Sequence, residues 1–406
     1  MTRKCLRCGN ENPDFIGNDR GILYCRKCIE FGRLNLGERD RVPVLKKFSG
    51  NPYGKGKRCL DVSVSEIKPV LEFELTGFQK AISEKALRSL ISGKDVFIYA
   101  AAGAGKTEIT LQSIAWYLNH SKSVCFAISR RQVVLEIAKR LRSNFPDLKI
   151  SAVCEGYPEH SADRFDSDLI VCTMHQLYQY PSCFDLLIMD EVDAFPYAGN
   201  PVLESIALRA CRGQKMMLSA TPDRKSLEAI EQGKMVLCEL FRRPHGKPLC
   251  IPEIRRGSHL LQVIQIFTKS RRLIRSDKLI LVFVPRKADG WWMKMILGFL
   301  APSELIHSGI RNKDQIMDRF RKQKTKILVT TTLLERGITV PDVQVLVYRS
   351  DHPVFTCASL IQIFGRVGRT FSNPFGEGIC FCERISSSMK ECISILERMN
   401  KACSEQ

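Results

Sequence analysis

Short apolar segments alternate with amphipathic stretches along most of the chain beyond about residue 60. The first series of apolar segments is DVFIYA, SVCFAIS, KISAV, DLIVC, FDLLIMD and KMMLSA, and the second is LILVFV, KILVT, VQVLVY and GICFC. Stretches with helical periodicity, such as NKDQIMDRFRKQ, lie between them. Strands that alternate with helices in this rhythm form parallel sheets joined by right-handed crossovers. The pattern therefore predicts an α/β protein with two parallel-sheet lobes in tandem.

Two segments break the alternation and divide the chain. Residues 1–58 contain paired cysteines, few long apolar runs and the Gly/Lys-rich stretch GNPYGKGKRC, so they predict a small module and a linker. Residues 241–257 are rich in proline, glycine and arginine, and we interpret them as a hinge. The first lobe would then cover residues 59–240 and the second lobe residues 258–406.

The composition is that of a folded, basic protein. The chain has 406 residues, 44% of them hydrophobic, and a formal net charge of +19. Such a charge attracts polyanions, which favours a nucleic acid as partner, although an acidic membrane surface would attract the chain as well. No apolar run approaches the ~20 residues of a membrane-spanning helix, and the polar, cysteine-bearing start is unlike a secretory signal. We therefore expect a cytoplasmic protein without a membrane-spanning segment.

A glycine-rich loop follows the strand DVFIYA. Gly103 and Gly105 would let backbone N–H groups turn toward the β- and γ-phosphates of ATP. Lys106 would reach the same phosphates, and the Thr107 hydroxyl would join the coordination shell of Mg²⁺. Ala100 stands where the usual pattern has its first glycine, a form familiar in helicases. The predicted nucleotide-binding residues of this loop are Gly103, Ala104, Gly105, Lys106, Thr107 and Glu108.

The segment FDLLIMDEVD adds an acidic pair at the end of an apolar strand. Asp190 would lie at the carboxyl edge of the sheet, where it can position the metal. Glu191 can accept a proton from the attacking water. A solvated turn would explain the pair about as well by itself, but the phosphate loop upstream favours the catalytic interpretation. Asp193 completes the D-E-x-D box, and we expect it to contact the coupling segment that follows.

The segment QIFGRVGR near the end of the second lobe contains Gln362, Arg366 and Arg369. A helix that begins at about residue 358 would place Gln362 and Arg366 on one face, with Arg369 in the turn beyond. Arginines brought to the γ-phosphate stabilise the charge of the transition state and raise phosphoryl-transfer rates by ~10³–10⁵-fold. The alternative is a pair of surface arginines, since the chain contains 62 lysines and arginines.

Most of the 17 cysteines stand singly in apolar segments, where we expect them to pack as small hydrophobic residues. Four are different, because they form the pairs Cys5-x2-Cys8 and Cys25-x2-Cys28. This spacing predicts a tetrahedral Zn²⁺ site with four thiolate ligands, which leaves no open position for chemistry and is therefore structural. The module would serve in DNA binding or in docking to a partner, and the sequence does not separate these roles.

The motifs A-x-x-G-x-G-K-T, D-E-V-D, S-A-T and Q-x-x-G-R-x-G-R occur in the order found in superfamily-two helicases of the DEAD/DEAH type. The resemblance covers about residues 70–385 and implies two RecA-like lobes that form an ATP-driven helicase or translocase. It also implies that Gln79 reads the adenine and that Gly337 belongs to the nucleotide site. Ser219 and Thr221 of S-A-T, with Asp193, would couple hydrolysis to movement.

The same resemblance implies which residues touch the nucleic-acid strand. Contacts of this kind are directed at the backbone and do not read bases. The implied contact residues are Ser129, Arg130, Arg131 and Thr173 in the first lobe and Arg286, Thr331 and Thr332 in the second.

The paired cysteines ahead of the first lobe, together with the extended box DEVDAFPY, resemble the late competence ComFA family of Gram-positive bacteria. This resemblance implies a DNA-stimulated ATPase at the inner face of the cell membrane, which drives transforming single-stranded DNA through the channel ComEC. The implied protein partners are ComFC and DprA. Three alternatives fit the same residues: a duplex-unwinding helicase in repair or replication restart, an RNA helicase, and a zinc-dependent nucleic-acid-binding scaffold with a degenerate ATPase.

Overall fold

The computed structural model describes residues 4–40, 43, 45, 66–156, 163–310, 312–332, 342–371 and 373–404. The chain forms two compact units, the first made of Met1–Ala100 and Gly105–Leu240, the second of Ala101–Ala104 and Phe241–Gln406. The predicted linker GNPYGKGKRC and the predicted nucleotide residue Gly337 lie outside the described residues.

The described N-terminal residues form a small hairpin between the two cysteine pairs. Strand β1 (Ile16–Asp19) pairs antiparallel with strand β2 (Ile22–Cys25), in the register Ile16 to Cys25. Arg20 and Gly21 connect the strands with φ angles of 50° and 87°. Positive φ at both loop positions suits a two-residue hairpin turn, whose twist matches that of the strands. The turn brings the second cysteine pair back toward the first.

The first unit contains a sheet of seven parallel strands in the order β5-β6-β4-β7-β8-β3-β9. Its strands are β3 (Asp95–Ala100), β4 (Val124–Ile128), β5 (Ile150–Val153), β6 (Leu169–Thr173), β7 (Phe184–Asp190), β8 (Cys211–Ser219) and β9 (Met235–Leu240). The accompanying helices are α1 (Gly77–Ile91), α2 (Lys106–Asn119), α3 (Arg131–Asn144), α4 (Pro201–Ala210) and α5 (Arg224–Glu231).

Local capping explains where several of these helices begin. Thr76 and Gln79 form a reciprocal capping box at the start of α1. Asn200 accepts hydrogen bonds from the first turn of α4, and Pro201 follows at the first helical position. Asp223 caps α5 in the same way, through the N–H of Ser226.

The second unit contains a sheet of six parallel strands in the order β10-β15-β14-β11-β13-β12. Its strands are β10 (Glu253–Arg256), β11 (Leu279–Phe283), β12 (Ser303–Ile306), β13 (Ile327–Thr330), β14 (Val343–Val347) and β15 (Gly378–Cys382). The accompanying helices are α6 (His259–Arg275), α7 (Lys287–Gly298), α8 (Lys313–Arg321), α9 (Cys357–Phe364) and α10 (Ser387–Ser404).

Two parallel-sheet units confirm the predicted α/β architecture, but three strands of these sheets were not predicted: β9, β10 and β12. All three lie at the outer edge of a sheet. Strands β10 (EIRR) and β12 (SELI) carry no continuous apolar run, because edge strands are covered on fewer sides. Strand β9 (MVLCEL) does contain an apolar run, and the remaining edge strand, β5, was predicted. Strand β10 lies inside the segment 241–257 that we interpreted as a hinge, and it pairs with β15 from Glu253 opposite Ile379 onward. The last part of that segment therefore belongs to the second sheet.

The N-terminal module shares a hydrophobic core with the first sheet. The four paired cysteines belong to the same buried cluster as Leu177, Leu203 and Ile206. Phe31 packs against Tyr178, with ring centroids 5.3 Å apart. The Ser205 hydroxyl on α4 donates to the main-chain carbonyl of Arg7 in the module, at a distance of 3.3 Å. The module is thus an integral part of the first unit, held by helix α4 and the segment Met174–Gln179.

We expect this shared core to contribute to the stability of the first unit. Leu203 is fully buried, whereas Leu208 on the same helix is 56% exposed. Leu203→Ala removes buried methyl groups and should lower the free energy of unfolding by ~2–5 kcal/mol. Leu208→Ala should change it by less than ~0.5 kcal/mol. Guanidinium unfolding followed by Trp116 fluorescence measures both, with Trp291 and Trp292 replaced by phenylalanine in every variant. Equal losses in the two leucine variants would contradict the shared core.

Candidate nucleotide site and metal centre

The loop after β3 has a backbone that only glycine adopts easily. Gly103 and Gly105 have φ angles of +81° and +88°, in the left-handed region. A Cβ atom on Gly105 would also come within 2.4 Å of Nε2 of Gln79. Helix α2 begins directly after Gly105, and the N-terminal end of a helix favours negative charge. Lys106 is half-buried and Thr107 is buried at this end of the helix, which suits the binding of phosphate and metal.

Gln79 lies beside this loop and is 4% exposed. Its Oε1 accepts a hydrogen bond from the N–H of Thr76 at 3.0 Å, as part of the capping box. Its amide nitrogen faces Gly105. The structure therefore connects Gln79 to the helix start and to the phosphate loop. The adenine-reading role implied by resemblance stays a prediction.

Asp190 is the last residue of β7 and is buried. Burial raises the pKa of Asp190 to about 6, while the charge of Lys106 acts in the opposite direction and that of Glu191 adds to the rise. The carboxylate of Asp190 therefore lies within electrostatic reach of the phosphate-loop lysine. Glu191 follows with a φ angle of 56°, and its N–H donates to Oδ1 of Asp190 at 2.8 Å. These residues can hold a divalent cation, whose charge would offset the cost of burying a carboxylate.

The S-A-T segment contacts the acidic box directly. The Thr221 hydroxyl donates to Oδ2 of Asp193 at 3.2 Å. The Ser219 hydroxyl donates to the Thr221 carbonyl at 2.7 Å and accepts from the Thr221 N–H at 3.0 Å. Strand β8, which ends at Ser219, pairs with β7 on one side and with β3 on the other. The segment therefore follows a strand that lies between the strands carrying the phosphate loop and the acidic pair.

The predicted strand-contact residues of the first unit follow neighbouring strands at the same sheet edge. Ser129 follows β4 and Thr173 ends β6. Strand β4 pairs with β6 on one side and with β7 on the other. Ser129 is buried, and its hydroxyl donates to the Glu191 carbonyl at 3.2 Å. Arg131 begins α3 and donates to the Gly156 carbonyl at 3.2 Å. Arg130, the residue before it, is half-exposed.

The corresponding residues of the second unit also follow neighbouring strands. Arg286 is exposed at the start of α7, after β11. Thr331 and Thr332 are half-buried after β13, which pairs with β11. Because parallel strands end at one edge of a sheet, these residues share that edge.

Helix α9 ends before the two arginines of the QIFGRVGR segment, so Gln362 and Arg366 do not share one helical face as we expected. The helix stops at Phe364, so Arg366 and Arg369 both lie in the turn beyond it. Gln362 and Arg366 are nevertheless buried, at 5% and 4% exposure. Nε of Arg369 donates to the Gly365 carbonyl at 2.9 Å. The turn, and not a helix repeat, sets the positions of the two arginines.

Arg243 is a buried basic residue that the sequence did not predict. Arg243 lies in the segment interpreted as a hinge and donates to carbonyls of the turn that follows α9. Nothing in FRRPHGK distinguishes this arginine from its exposed neighbour Arg242. Only the tertiary structure shows which of the two is buried.

The four paired cysteines converge on one buried point. Their sulfur atoms all lie within 4.8 Å of one another, with 3.7 Å between Cys5 and Cys28 and 3.6 Å between Cys8 and Cys25. In a tetrahedral site with Zn–S bonds of about 2.3 Å, the sulfur atoms are about 3.8 Å apart. The cluster is therefore compatible with zinc.

Among the described residues, no helix combines the length and the apolar character that crossing a lipid bilayer requires.

Comparison with known families agrees with this geometry. A DEAD/DEAH box helicase family model matches residues 80–230, and a helicase conserved C-terminal domain model matches residues 259–371. The structure of S. cerevisiae Dbp5 bound to RNA and ADP BeF3 has the same fold, with a TM-score of 0.58 and 17% identity over 78% of this chain and 86% of that chain. The protein is an ATP-dependent helicase or translocase, a class that uses ATP with Mg²⁺ and binds nucleic acid.

Competence proteins are similar to the chain over nearly its whole length. The competence protein ComFA of Streptococcus pneumoniae is 32% identical over 98% of this chain and 90% of its own length. That of Bacillus subtilis is 29% identical over 98% of this chain and 86% of its own length. The chain belongs to the ComFA family of competence-related helicases or translocases.

Lys106→Ala should abolish ATP hydrolysis, because the substitution removes the charge that we predict to bind the phosphates. Affinity for nucleic acid should stay within about threefold of the parent, a change of less than ~0.7 kcal/mol, because the lysine lies at the phosphate loop. Phosphate-release kinetics and fluorescence anisotropy measure the two quantities. Lys139→Ala, at an exposed position of α3, is the control and should hydrolyse ATP normally. Turnover retained in Lys106→Ala would remove the phosphate role.

Cys25→Ser should lower both the zinc content and the unfolding temperature of the first unit, because the cluster is part of that unit's core. Cys238→Ser is the matched control, since Cys238 is buried in β9 outside the cluster. This variant should lose stability but keep about one zinc per chain, as one four-thiolate site requires. Elemental analysis and thermal unfolding separate the two effects. Equal zinc content in Cys25→Ser and the parent would show that the cluster is not the zinc site.

Proposed function

We propose that the protein is an ATP-dependent single-stranded DNA translocase that drives the uptake of transforming DNA across the cytoplasmic membrane. Family membership over nearly the whole chain supports the role in competence. The net charge of +19 supports a polyanionic track. The predicted contact residues are hydroxyls and guanidinium groups, which suit a backbone-directed grip that tolerates any sequence.

One hydrogen bond carries the proposed coupling between track and hydrolysis. The hydroxyl of Ser129 donates to the main-chain carbonyl of Glu191. Ser129 directly precedes Arg130 and Arg131, the proposed phosphate contacts, and Glu191 is the proposed acceptor of the water proton. DNA bound to these arginines can therefore act on the backbone of Glu191 through a single side chain. This arrangement accounts for an ATPase that DNA stimulates.

In the proposed hydrolysis, Lys106 holds the β- and γ-phosphates at the start of α2. Thr107 and Asp190 would hold Mg²⁺, which neutralises phosphate charge. Glu191 accepts the proton of the attacking water. The two arginines of the turn after α9, Arg366 and Arg369, stabilise the charge that develops on the γ-phosphate. Gln362, buried on α9 near that turn, belongs to the same proposed catalytic set.

The contact of Thr221 with Asp193 provides a second link in the proposal. A change at the acidic box on hydrolysis would reach the segment after β8 through this bond. Proteins that convert a ligand signal into movement need contacts that differ between two states. We infer that Ser219, Thr221 and Asp193 form such a contact set.

We further propose a structural zinc ion in the four-cysteine cluster. The ion would hold the N-terminal module on helix α4 and on the segment Met174–Gln179, which follows the proposed DNA contact Thr173. Four thiolates leave no ligand position for chemistry. The zinc would therefore support the first unit and its DNA-contact edge.

We propose that the protein acts at the inner face of the cytoplasmic membrane, next to the channel ComEC. Its proposed protein partners are ComFC and DprA. The support is the family alone, together with a basic surface that anionic headgroups attract.

The test compares ATP hydrolysis with single-stranded DNA, duplex DNA and single-stranded RNA of equal length. We expect single-stranded DNA to stimulate turnover at least about tenfold more than RNA, equivalent to ~1.4 kcal/mol of barrier. A second assay follows ATP-dependent displacement of streptavidin from the end of biotinylated single-stranded DNA, with Glu191→Gln as the hydrolysis-deficient control. Displacement should occur without separation of a forked duplex. Preferential stimulation by RNA, or efficient unwinding of the fork, would contradict the proposal.

A further inference from the structure

A buried arginine just after the first unit contacts the turn that carries the proposed catalytic arginines. Arg243 is 2% exposed. Its Nη1 donates to the carbonyls of Val367 (2.7 Å) and Gly368 (2.8 Å), and its Nη2 donates to that of Gly365 (2.8 Å). Its Nε donates to the Ala102 carbonyl (3.0 Å) in the phosphate loop. Residues Ala101–Ala104 of that loop belong to the second unit, as Arg243 does. One guanidinium therefore satisfies three carbonyls of a single turn.

Carbonyl dipoles offset the charge of Arg243. Its hydrogen-bond partners among the described residues are main-chain carbonyls and include no carboxylate. Burial lowers the pKa of Arg243 to about 10, and the nearby charge of Arg369 adds to the effect, so the side chain stays protonated at neutral pH. Burying a cation is costly, although charge-assisted hydrogen bonds are stronger than neutral ones. The planar fork of an arginine can bind several acceptors in one fixed geometry, which a lysine cannot do.

Other contacts restrict the same turn. Gly368 has a φ angle of +62°, and a Cβ atom there would come within 2.3 Å of the Pro374 carbonyl. Nε2 of His245 lies 3.0 Å from the Gly368 carbonyl. Nε of Arg369 bonds to the Gly365 carbonyl, which Arg243 also uses. The turn is thus held at Gly365 and at Gly368, on either side of Arg366 and directly before Arg369.

We propose that Arg243 is a positioning residue for ATP hydrolysis. Its guanidinium holds residues 365–368 in the conformation that presents Arg366 and Arg369 to the γ-phosphate. The inference rests on the proposed function of those two arginines. Arg243 acts through them and does not itself stabilise the transition state.

The experiment measures kcat and the KM for ATP of the full-length protein at saturating single-stranded DNA. Misplacing a catalytic group by about 1 Å costs on the order of 10²-fold in rate, so Arg243→Met should lower kcat by ~10–100-fold. The KM for ATP should change by less than about threefold, because Arg243 gives one hydrogen bond to the phosphate loop, at the Ala102 carbonyl, and three to the turn. Arg243→Lys keeps the charge but not the fork, and it should recover only part of kcat.

Two comparisons separate positioning from a general loss of stability. Lys269→Met removes another buried cation of the second unit, which pairs with Glu377 and not with the turn. This control should lower the unfolding temperature and keep kcat within about twofold of the parent. In an Arg366→Ala/Arg369→Ala background, Arg243→Met should lower kcat by less than a further factor of about two. The effects of residues that act as a unit on kcat are not additive.

The outcomes decide between the inference and the function on which it rests. Full kcat in Arg243→Met or Arg243→Lys, or an undiminished loss in the double-alanine background, would overturn the positioning role alone. If the double-alanine variant itself keeps full kcat, the proposed role of the two arginines fails. Should both Arg243 variants fail to fold, His245→Ala takes their place, since it removes one contact to the turn. This variant should lower kcat several-fold, by ~1 kcal/mol of barrier, and an unchanged kcat would again overturn the inference.

Discussion

The buried carboxylate of Asp190 interacts electrostatically with the Lys106 ammonium at the carboxyl edge of the first sheet, and the proposed nucleotide chemistry depends on this pair of charges. Burial raises the pKa of Asp190 to about 6, and the charge of Lys106 opposes that rise. The pair exists because β3 and β7 are both neighbours of β8, so the loop after one strand and the acidic end of the other open at one edge. In the proposed hydrolysis, a divalent cation and a triphosphate would complete the balance of charge at this edge.

The same edge also connects hydrolysis to the proposed track. Ser129 bonds to the backbone of Glu191, and Thr221 bonds to Asp193, so the acidic box has a contact on each side. Each contact is a single hydrogen bond between adjacent strand ends, which a small shift can break or form. An ATPase motor needs such contacts, because a ligand changes a conformation only through interactions that differ between the two states.

The cysteine cluster illustrates a different dependence. Its four sulfur atoms lie in the same buried core as α4 and the segment Met174–Gln179. The proposed metal would therefore stabilise the core of the first unit and not a separate appendage. We had left DNA binding and partner docking open as roles for the module. From the packing we infer a third role, which is support of the segment that follows the predicted contact residue Thr173.

The sequence by itself determined the central strands, the order of the motifs and the two cysteine pairs. Buried central strands need continuous apolar runs, phosphate loops need glycine, and thiolate ligands need paired cysteines, so each leaves a local pattern. Tertiary structure alone decided the edge strands β10 and β12, whose sequences EIRR and SELI carry no such pattern. It also decided the end of α9 and the packing of the N-terminal module. Which of two adjacent arginines is buried depends on distant carbonyls, here those of residues 365–368 around Arg243, and no local pattern records them.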